Sequence, residues 1–175
     1  MQRQLKTAFD KVDRLSKHDT LTACLNRTGF FDALQITIER TRRYARPFSL
    51  VYFDCDNFKH VNDTLGHHVG DSLLVQVGAT LRDRARRVDF IARLGGDEFA
   101  ILIPQADAAA AKQAVAHVRT QLDAAMRAMK WPVTFSIGVA TFEGATETVS
   151  SEAMSLTINT KFIISLSNHA RATMR

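Results

Sequence analysis

The chain has 175 residues, 46% of them hydrophobic, which is enough for one globular domain with a buried core. No apolar run approaches the roughly 18 residues of a membrane span, and the polar start Met1–Gln4 predicts that no signal peptide is present. The net charge of +5 and the isoelectric point of about 9.6 suit a ligand that carries phosphate. Cys24 and Cys55 lie far apart in the sequence, and we expect both to be reduced, buried side chains.

Hydrophobic spacing in the first third of the chain predicts two helices and then a buried strand. Residues 1–18 carry apolar side chains at helical spacing, and we expect them to form a helical linker ahead of a single domain, residues 19–175. A plain surface helix is the alternative for this segment. Asn26 is placed to cap the second helix, whose apolar face is predicted to comprise Phe31, Leu34, Ile38 and Ala45. The uninterrupted apolar run Phe48–Phe53 is typical of a buried strand.

The later part of the chain predicts two more helices and a strand. Apolar residues at helical spacing mark a helix at Leu73–Leu81. Ala108–Met129 is rich in alanine and predicts a long helix, with a buried face of Val115, Val118, Leu122 and Met126. Val133–Thr141 contains several β-branched residues and is predicted to be a strand. Together with the hairpin described next, this order predicts an α/β sandwich in which helices pack on a mixed sheet.

Two acidic residues stand at the exit of a predicted hairpin turn. Gly95 and Gly96 separate two apolar runs, as in a tight turn that needs positive φ. Such a turn does not require the acids Asp97 and Glu98 that follow the glycines. Because the adjoining backbone carries no side chains, we expect a large anionic ligand and its metal to approach closely there.

A polar, turn-rich segment, Asp54–Asp71, follows the first predicted strand. A carboxylate at a strand end suits Mg²⁺, which takes one or two carboxylates together with phosphate oxygens and water. Lys59 offers a compact positive charge to a phosphate. Asn62 and Asp71 carry the groups that a guanine edge requires, because aspartate accepts from its N–H groups and the asparagine amide donates to a ring acceptor. Taken singly, each residue has a structural alternative, such as capping a helix or closing a turn.

These motifs resemble the GGDEF family of diguanylate cyclases. The resemblance is carried by the spaced residues of Asp54–Asp71, by Arg93–Phe99, by Asp19–Arg27 near the start and by Ser136–Ala140 near the end. It runs from about residue 19 to about residue 154, and the shared order of several motifs argues against chance. It implies a ferredoxin-like, nucleotidyl-cyclase-like sandwich whose β-hairpin carries the GGDEF turn.

The resemblance implies that two GTP molecules become cyclic di-GMP and two pyrophosphates in a homodimer, with two Mg²⁺ or Mn²⁺ ions in each active site. The metal ligands would be Asp54, the backbone carbonyl of Cys55, Asp97 and Glu98. Of these, Asp54, Asp97 and Glu98 would be catalytic, and Asp97 would assist deprotonation of the ribose 3′-hydroxyl. The substrate-binding residues would be Asn57, Phe58, Lys59, Asn62, Asp71, Gly95 and Gly96.

The family also has an inhibitory site that binds the product through an Arg-x-x-Asp motif shortly before the hairpin. Arg86 and Asp89 occupy its two positions in this sequence. The residue types suit the ligand, since arginine forks onto phosphate or a guanine edge and aspartate accepts from guanine. A surface ion pair is the structural alternative for so short a motif.

The carboxyl-terminal segment departs from the family pattern. The family closes with a helix whose lysine and arginine contact the GTP phosphates, whereas Ser165 and His169 fall at or near those positions here. The divergent tail, about residues 156–175, is also a poorer helix former, and a changed reading frame or divergence are the two hypotheses for it. We expect reduced turnover. The alternative function is an impaired domain that senses GTP or cyclic di-GMP by binding alone.

Two further functional classes, nucleic-acid binding and adenylate-type cyclases, receive less support from the sequence. The arginines of 82–87 and the high isoelectric point suit nucleic acid, but no aromatic residues interleave with them and no recognition motif is present, so we expect no nucleic-acid partner. An adenylate-type cyclase shares the architecture, but Asn62 and Asp71 favour guanine. The expected partners are GTP, cyclic di-GMP, a second copy of the chain and a sensor domain that precedes Met1. We expect the domain to lie in the cytoplasm. A larger, membrane-attached protein whose cytoplasmic part contains this domain fits the same expectation.

Overall fold

The computed structural model describes residues 17–143; the predicted linker helix and the divergent tail lie outside this range. The elements in chain order are α1 (Arg27–Tyr44), β1 (Phe48–Asp56), α2 (Phe58–Leu65), α3 (His67–Arg84), β2 (Phe90–Gly95), β3 (Glu98–Pro104), α4 (Ala108–Ala128) and β4 (Thr134–Phe142). None of the helices in this range is long and apolar enough to cross a membrane.

Helix α1 begins where the sequence predicts a cap. The Asn26 side-chain oxygen accepts a hydrogen bond from the Gly29 backbone N–H at 2.9 Å, which satisfies one of the donors that a first helical turn leaves unpaired. The helix stops at Tyr44 because Ala45 takes a left-handed φ of 51°. Its buried face comprises Phe30, Ala33, Leu34, Thr37, Ile38 and Thr41.

The predicted apolar face of α1 was therefore wrong at two positions. Phe31 is only partly buried, because the neighbouring Phe30 faces the sheet instead. Ala45 is exposed, because it lies beyond the end of the helix. Polar threonines at 37 and 41 take the inward positions, and the Thr37 hydroxyl donates to the Ala33 carbonyl at 2.8 Å.

The sheet has four strands in the order β2–β3–β1–β4. Each named strand pair in residues 17–143 is antiparallel, so the prediction of a mixed sheet was wrong. Within that range, parallel pairing is confined to one isolated bridge between Leu25 and Ala92. The helices connect strands that run parallel to each other, β1 to β2 and β3 to β4. These parallel strands do not pair, because β3 lies between β1 and β2 and β1 lies between β3 and β4. This is the ferredoxin-like sandwich that the resemblance implies.

Helices cover both faces of the sheet and enclose two cores. On one face, α3 and α4 pack against alternate residues of β1, with Val51, Phe53, Leu73, Leu81 and Leu122 buried among them. On the other face, α1 packs against the remaining residues of β1, and this core contains Phe30, Leu34, Phe48, Leu50 and Tyr52. The period of two in a strand thus explains why the run Phe48–Phe53 is apolar throughout.

Helix α2 was not predicted: it is only eight residues long, and its apolar residues Phe58, Val61 and Leu65 stand at helical spacing within a polar segment. Val61 is its one buried residue, and Asp54–Gly70 was predicted as a polar, turn-rich segment. The other elements confirm their predictions within a few residues. Helix α4 differs in one detail: Ala111 is buried, whereas Val115 is only partly buried.

Helix α4 offers a test of local stability away from any candidate site. The exposed Asp107 side chain accepts a hydrogen bond from the Ala110 N–H at 2.8 Å and caps the helix. We expect Asp107→Ala to lower the free energy of unfolding by about 1 kcal/mol, while Asp107→Ser, which retains a capping oxygen, changes it by less. Urea denaturation of the three proteins measures both differences. Equal stability of the alanine and serine variants would contradict the capping role.

Candidate active site

The acidic residues predicted from two separate motifs meet where β1 and β3 pair. Asp54 of β1 stands directly opposite Glu98, the first residue of β3. Residues opposite each other in an antiparallel pair lie about 5 Å apart and on the same face of the sheet. Asp97 immediately precedes Glu98 in the turn, and its charge raises the pKa of Asp54. Three carboxylates therefore gather at one end of the central strands.

The turn that carries these acids has no side chains at Gly95 and Gly96. Gly96 has a left-handed φ of 47°, and a bulge between Arg93 and Gly95 interrupts the strand pairing. Among the described residues, no heavy atom lies within 4 Å of the position that a Cβ would take at Gly95 or Gly96. The turn is thus open to a ligand on the side where these side chains would be.

Arg93 connects this turn to Asp19, which lies in the segment that precedes α1. Its Nε donates to the Gly96 carbonyl at 2.9 Å, and its Nη1 lies 3.2 Å from both carboxylate oxygens of Asp19. Asp19 also accepts hydrogen bonds from the backbone N–H and the hydroxyl of Thr22, at 2.8 and 2.7 Å. Burial opposes the charged form of Asp19, but the hydrogen bonds from Thr22 and Arg93 outweigh it and lower the pKa.

Burial and neighbouring negative charges raise the pKa values of Asp54 and Asp97 at the strand ends. Partial burial raises the pKa of Asp54 to about 6, and the charges of Asp97, Asp56 and Glu98 add to the effect. Burial also raises the pKa of Asp97, with a further contribution from Glu98 and an opposing one from Arg93. The cluster is therefore electrostatically unfavourable as it stands, and a bound cation would relieve the repulsion.

Two neighbouring residues were missed by the sequence analysis as parts of this site. The Tyr52 hydroxyl donates a hydrogen bond to the Glu98 carboxylate, and burial together with the nearby acids raises the pKa of Tyr52. Asp56 accepts hydrogen bonds from the Thr134 and Ser136 hydroxyls of β4 at 2.8 and 2.7 Å. Both lie two residues from Asp54 on β1, so the period of two could have indicated that they share its face.

The start of α2 lies directly beyond the end of β1. Asn57 takes a left-handed φ of 66° and turns the chain into the helix, without capping it through its side chain. Phe58 and Lys59 are the first helical residues, and Lys59 is exposed. Backbone N–H groups in a first helical turn have no partner within the helix and are well suited to bind anions. The first turn of α2 and the exposed Lys59 thus adjoin the acidic cluster.

Asn62 and Asp71, the predicted guanine-binding residues, belong to α2 and α3. Gly70 immediately precedes Asp71, and the Asn62 amide lies against the α-carbon of Gly70. A Cβ at Gly70 would overlap the Asn62 side-chain oxygen, so a larger residue there would force the Asn62 side chain to move. Asp71 is exposed and Asn62 is partly buried. The two polar groups are therefore neighbours.

Arg86 and Asp89 lie apart from the acidic cluster, in the connection between α3 and β2. Asp89 Oδ2 accepts a hydrogen bond from the Arg86 N–H at 2.8 Å, and the Asp89 N–H donates to the Arg86 carbonyl at 2.9 Å. The other carboxylate oxygen, Oδ1, is buried and has no hydrogen-bond partner among the described residues. Burial raises the pKa of Asp89 against the opposing effects of the Arg86 N–H and charge.

Within residues 17–143, no group of three or more acidic, histidine or cysteine side chains is placed to hold a metal ion by itself. The Asp54 and Glu98 carboxylates, with Asp97 beside them, instead present a partial set of oxygen ligands. Such a set fits Mg²⁺, which binds through one or two carboxylates and completes its shell with substrate phosphates and water.

Comparison with known proteins agrees with this arrangement. The model of the family "Diguanylate cyclase, GGDEF domain" matches residues 16–157. MucR of Pseudomonas aeruginosa, a bifunctional diguanylate cyclase/cyclic di-GMP phosphodiesterase, is 39% identical over 148 residues, which are 82% of this chain and 21% of that protein. The chain spans 9% to 34% of the length of the curated relatives compared with it.

Two solved structures resemble the chain in both fold and sequence. The diguanylate cyclase SiaD of Pseudomonas aeruginosa, crystallised with its activator SiaC, has a TM-score of 0.77 at 29% identity and covers 98% of this chain and 64% of its own. The GGDEF domain of DgcB from Caulobacter crescentus, in complex with c-di-GMP, has a TM-score of 0.74 at 26% identity and covers 89% of this chain and 91% of its own. The chain belongs to the diguanylate cyclase GGDEF domain family.

Proposed function

We propose that this domain is a diguanylate cyclase, which condenses two GTP molecules into cyclic di-GMP and two pyrophosphates. The observation that carries the proposal is the convergence of Asp54, Asp97 and Glu98 at one sheet end, beside a phosphate-binding helix start. Each domain of a homodimer holds one GTP, so the two reacting nucleotides face each other across the dimer. Membership of the GGDEF family supports the same chemistry.

Asp54, Glu98, the Cys55 carbonyl and Asp97 are the proposed ligands of two Mg²⁺ or Mn²⁺ ions per site. The raised pKa of Asp54 supports this assignment, since burial together with the charges of Asp97, Asp56 and Glu98 raises it to about 6 and a cation would favour the charged form. When bound, the ions neutralise the charge of the leaving pyrophosphate and lower the pKa of the attacking hydroxyl. Tyr52 holds Glu98 in place through its hydrogen bond.

In each half-reaction, the 3′-oxygen of one GTP forms a bond to the α-phosphorus of the other. The bond from that phosphorus to the oxygen bridging to the β-phosphorus breaks, and pyrophosphate departs. Asp97 is the proposed acceptor of the hydroxyl proton, and its raised pKa makes it a better base than an ordinary aspartate. Holding both nucleotides in one dimer supplies proximity that is worth several kcal/mol of the barrier.

The remaining proposed contacts orient GTP along the domain surface. Asn62 and Asp71 bind the guanine edge, while Lys59 and the N–H groups of Asn57 and Phe58 meet the terminal phosphates. The open space at Gly95 and Gly96 admits the nucleotide close to the turn. Arg86 and Asp89 are proposed to bind cyclic di-GMP as an inhibitor, and the unpaired Oδ1 of Asp89 supports this.

The central test is turnover by the 175-residue chain. Incubation with GTP and Mg²⁺ at high protein concentration is expected to yield cyclic di-GMP, detected by chromatography and mass spectrometry. Glu98→Gln should reduce turnover by at least about 100-fold, because it removes a metal-binding charge. Glu39→Gln, an exposed position on α1, is the matched control and should leave turnover unchanged. Absence of product at any protein concentration would refute the proposal.

A binding module without turnover is the second candidate, and the unpaired oxygen of Asp89 favours it independently of catalysis. Calorimetry with cyclic di-GMP and with GTP, performed beside the turnover assay, separates the two functions. Binding without product would assign the domain to sensing. Product formation, with binding of cyclic di-GMP retained in Glu98→Gln, would assign catalysis and binding to separate sites.

The raised pKa of Asp54 predicts how the free energy of unfolding changes with pH. Because its pKa in the folded protein is raised to about 6, Asp54 binds a proton more readily folded than unfolded between pH 4 and 6, and stability falls as pH rises through this window. Without metal, Asp54→Asn should therefore be more stable than the parent at pH 7.5, by about 1 kcal/mol after allowance for solvent screening.

The stability of Asp54→Asn is measured by urea denaturation in EDTA. The difference from the parent protein should vanish near pH 4, where both side chains are neutral. Glu39→Gln serves again as the control and should show little difference at either pH. A variant less stable than the parent at pH 7.5 would contradict the proposed charge repulsion.

The guanine assignment predicts a change in nucleotide preference. Removing a hydrogen bond to a charged acceptor costs about 1.5–3 kcal/mol, so Asp71→Asn should weaken GTP binding by about 10- to 100-fold. Inosine triphosphate lacks the exocyclic amine, and the parent protein should bind it more weakly than GTP. In Asp71→Asn, the ratio of the dissociation constants for inosine triphosphate and GTP should be closer to one. Calorimetry with both nucleotides measures the effect, Asp63→Asn is the exposed control, and an unchanged ratio would exclude Asp71 from guanine recognition.

A further inference from the structure

Tyr52 lies on β1 where the core beneath α1 meets the acidic cluster. In the pairing of β1 with β3, Tyr52 stands opposite Ala100, and Asp54 stands opposite Glu98. Tyr52 is therefore the diagonal neighbour of Glu98 on one face of the sheet, and an aromatic side chain can span that separation. The Tyr52 hydroxyl donates a hydrogen bond to the Glu98 carboxylate.

The ring of Tyr52 is fixed by packing, and its hydroxyl is therefore fixed as well. Only 4% of the residue is exposed, and it belongs to the core that Phe30 and Leu34 of α1 form with the sheet. A buried tyrosine hydroxyl needs a hydrogen-bond partner, because leaving it unpaired is costly. Glu98 supplies this partner, so the hydrogen bond is part of the folded domain before any ion binds.

The acids on either side of Asp54 differ in how many of their oxygens are already engaged. Asp56 accepts hydrogen bonds at both oxygens, from Thr134 at Oδ2 and from Ser136 at Oδ1. A single tyrosine hydroxyl donates one hydrogen bond, so it engages one oxygen of Glu98 and leaves the other. Glu98 thus offers an ion one carboxylate oxygen that is not already hydrogen-bonded to tyrosine.

Mg²⁺ and Ca²⁺ differ in what they require of a carboxylate. Mg²⁺ is small and requires a nearly ideal octahedron, which single carboxylate oxygens, phosphates and water supply. Mn²⁺ has the same preference for oxygen ligands in an octahedron. Ca²⁺ is larger and takes about six to eight oxygens, often with both oxygens of one carboxylate. A carboxylate with one oxygen already engaged therefore suits the smaller ions better.

We propose that Tyr52 determines the metal specificity of the site: by engaging one oxygen of Glu98, it favours Mg²⁺ and Mn²⁺ over Ca²⁺. This inference rests on the proposed metal site of the cyclase and extends it to the choice of ion. Tyr52 is a positioning residue, because it acts through Glu98 and not by contact with the ion. Loss of the hydroxyl makes both oxygens of Glu98 available, which benefits the ion that uses both.

The test is calorimetry of the 175-residue chain with a GTP analogue in which a CH₂ group replaces the oxygen between the α- and β-phosphorus atoms. This analogue cannot release pyrophosphate, so binding is measured without turnover. An excess of Mg²⁺, Mn²⁺ or Ca²⁺ keeps the nucleotide complexed and gives a dissociation constant for each ion. In Tyr52→Phe, the ratio of the Ca²⁺ constant to the Mg²⁺ constant should fall about fivefold, a shift typical of one hydrogen bond.

A second tyrosine provides the matched control. Tyr44→Phe removes a hydroxyl at the end of α1, where the residue is 62% exposed, and it should leave the ratio unchanged. Tyr52→Phe retains the buried ring, and circular dichroism checks that the variant is folded. An affinity that falls by the same factor for all three ions would indicate a general loosening of the site and would refute the role in specificity.

The outcomes distinguish this inference from the function on which it rests. Metal-dependent binding that is weakened in Glu98→Gln, together with the same ratio in Tyr52→Phe and the parent, would overturn the role of Tyr52 alone. Binding that is absent with each ion, or equally strong in EDTA and in Glu98→Gln, would overturn the proposed metal site together with the inference.

Discussion

The pairing of β1 with β3 is the constraint on which the candidate active site depends, because it sets Asp54 opposite Glu98. The position is unfavourable for the charged form of Asp54, whose pKa is raised by burial and by the neighbouring acids. The register is imposed by the apolar residues behind the acids: Phe53 faces Phe99 across the same strand pair, and both are fully buried. A slip of one residue would turn these side chains to the opposite face. Hydrophobic packing thus holds an arrangement of charges that is unfavourable until a cation binds.

The ion pair between Arg93 and Asp19 extends this constraint beyond the sheet. Arg93 contacts the carbonyl of Gly96 as well as the carboxylate of Asp19, so one guanidinium joins the entry of the domain to the acidic turn. Leu25 strengthens the same connection through backbone hydrogen bonds with Ile91 and Arg93, each 2.8 to 2.9 Å long. A displacement of the entering segment would consequently be transmitted to the turn rather than absorbed by a loose loop.

Much of this arrangement was predictable from residue patterns, and the exceptions have physical causes. The Asn26 cap, the long helix α4 and the hairpin at Gly95–Gly96 follow from local chemistry, which the sequence displays directly. The antiparallel sheet was mispredicted because strand adjacency depends on which strand is inserted between two others, and local patterns contain no such information. Tyr52 was missed because its apolar ring is typical of a core strand, while its hydroxyl acts only in the context of Glu98.

The positions of the two proposed ligand sites restrict how one can influence the other. Asp71 and Arg84 lie 13 positions apart on α3, which at 1.5 Å per residue separates the proposed guanine contact from the end of the helix by about 20 Å. A ligand bound beyond that end, at Arg86 and Asp89, would therefore not contact the base of a GTP held at Asp71 of the same domain. Strand β2, however, begins at Phe90, directly after Asp89, and ends at Gly95 in the acidic turn. The proposed inhibition would therefore act through this strand and the turn it carries, or by holding the domain away from a second copy.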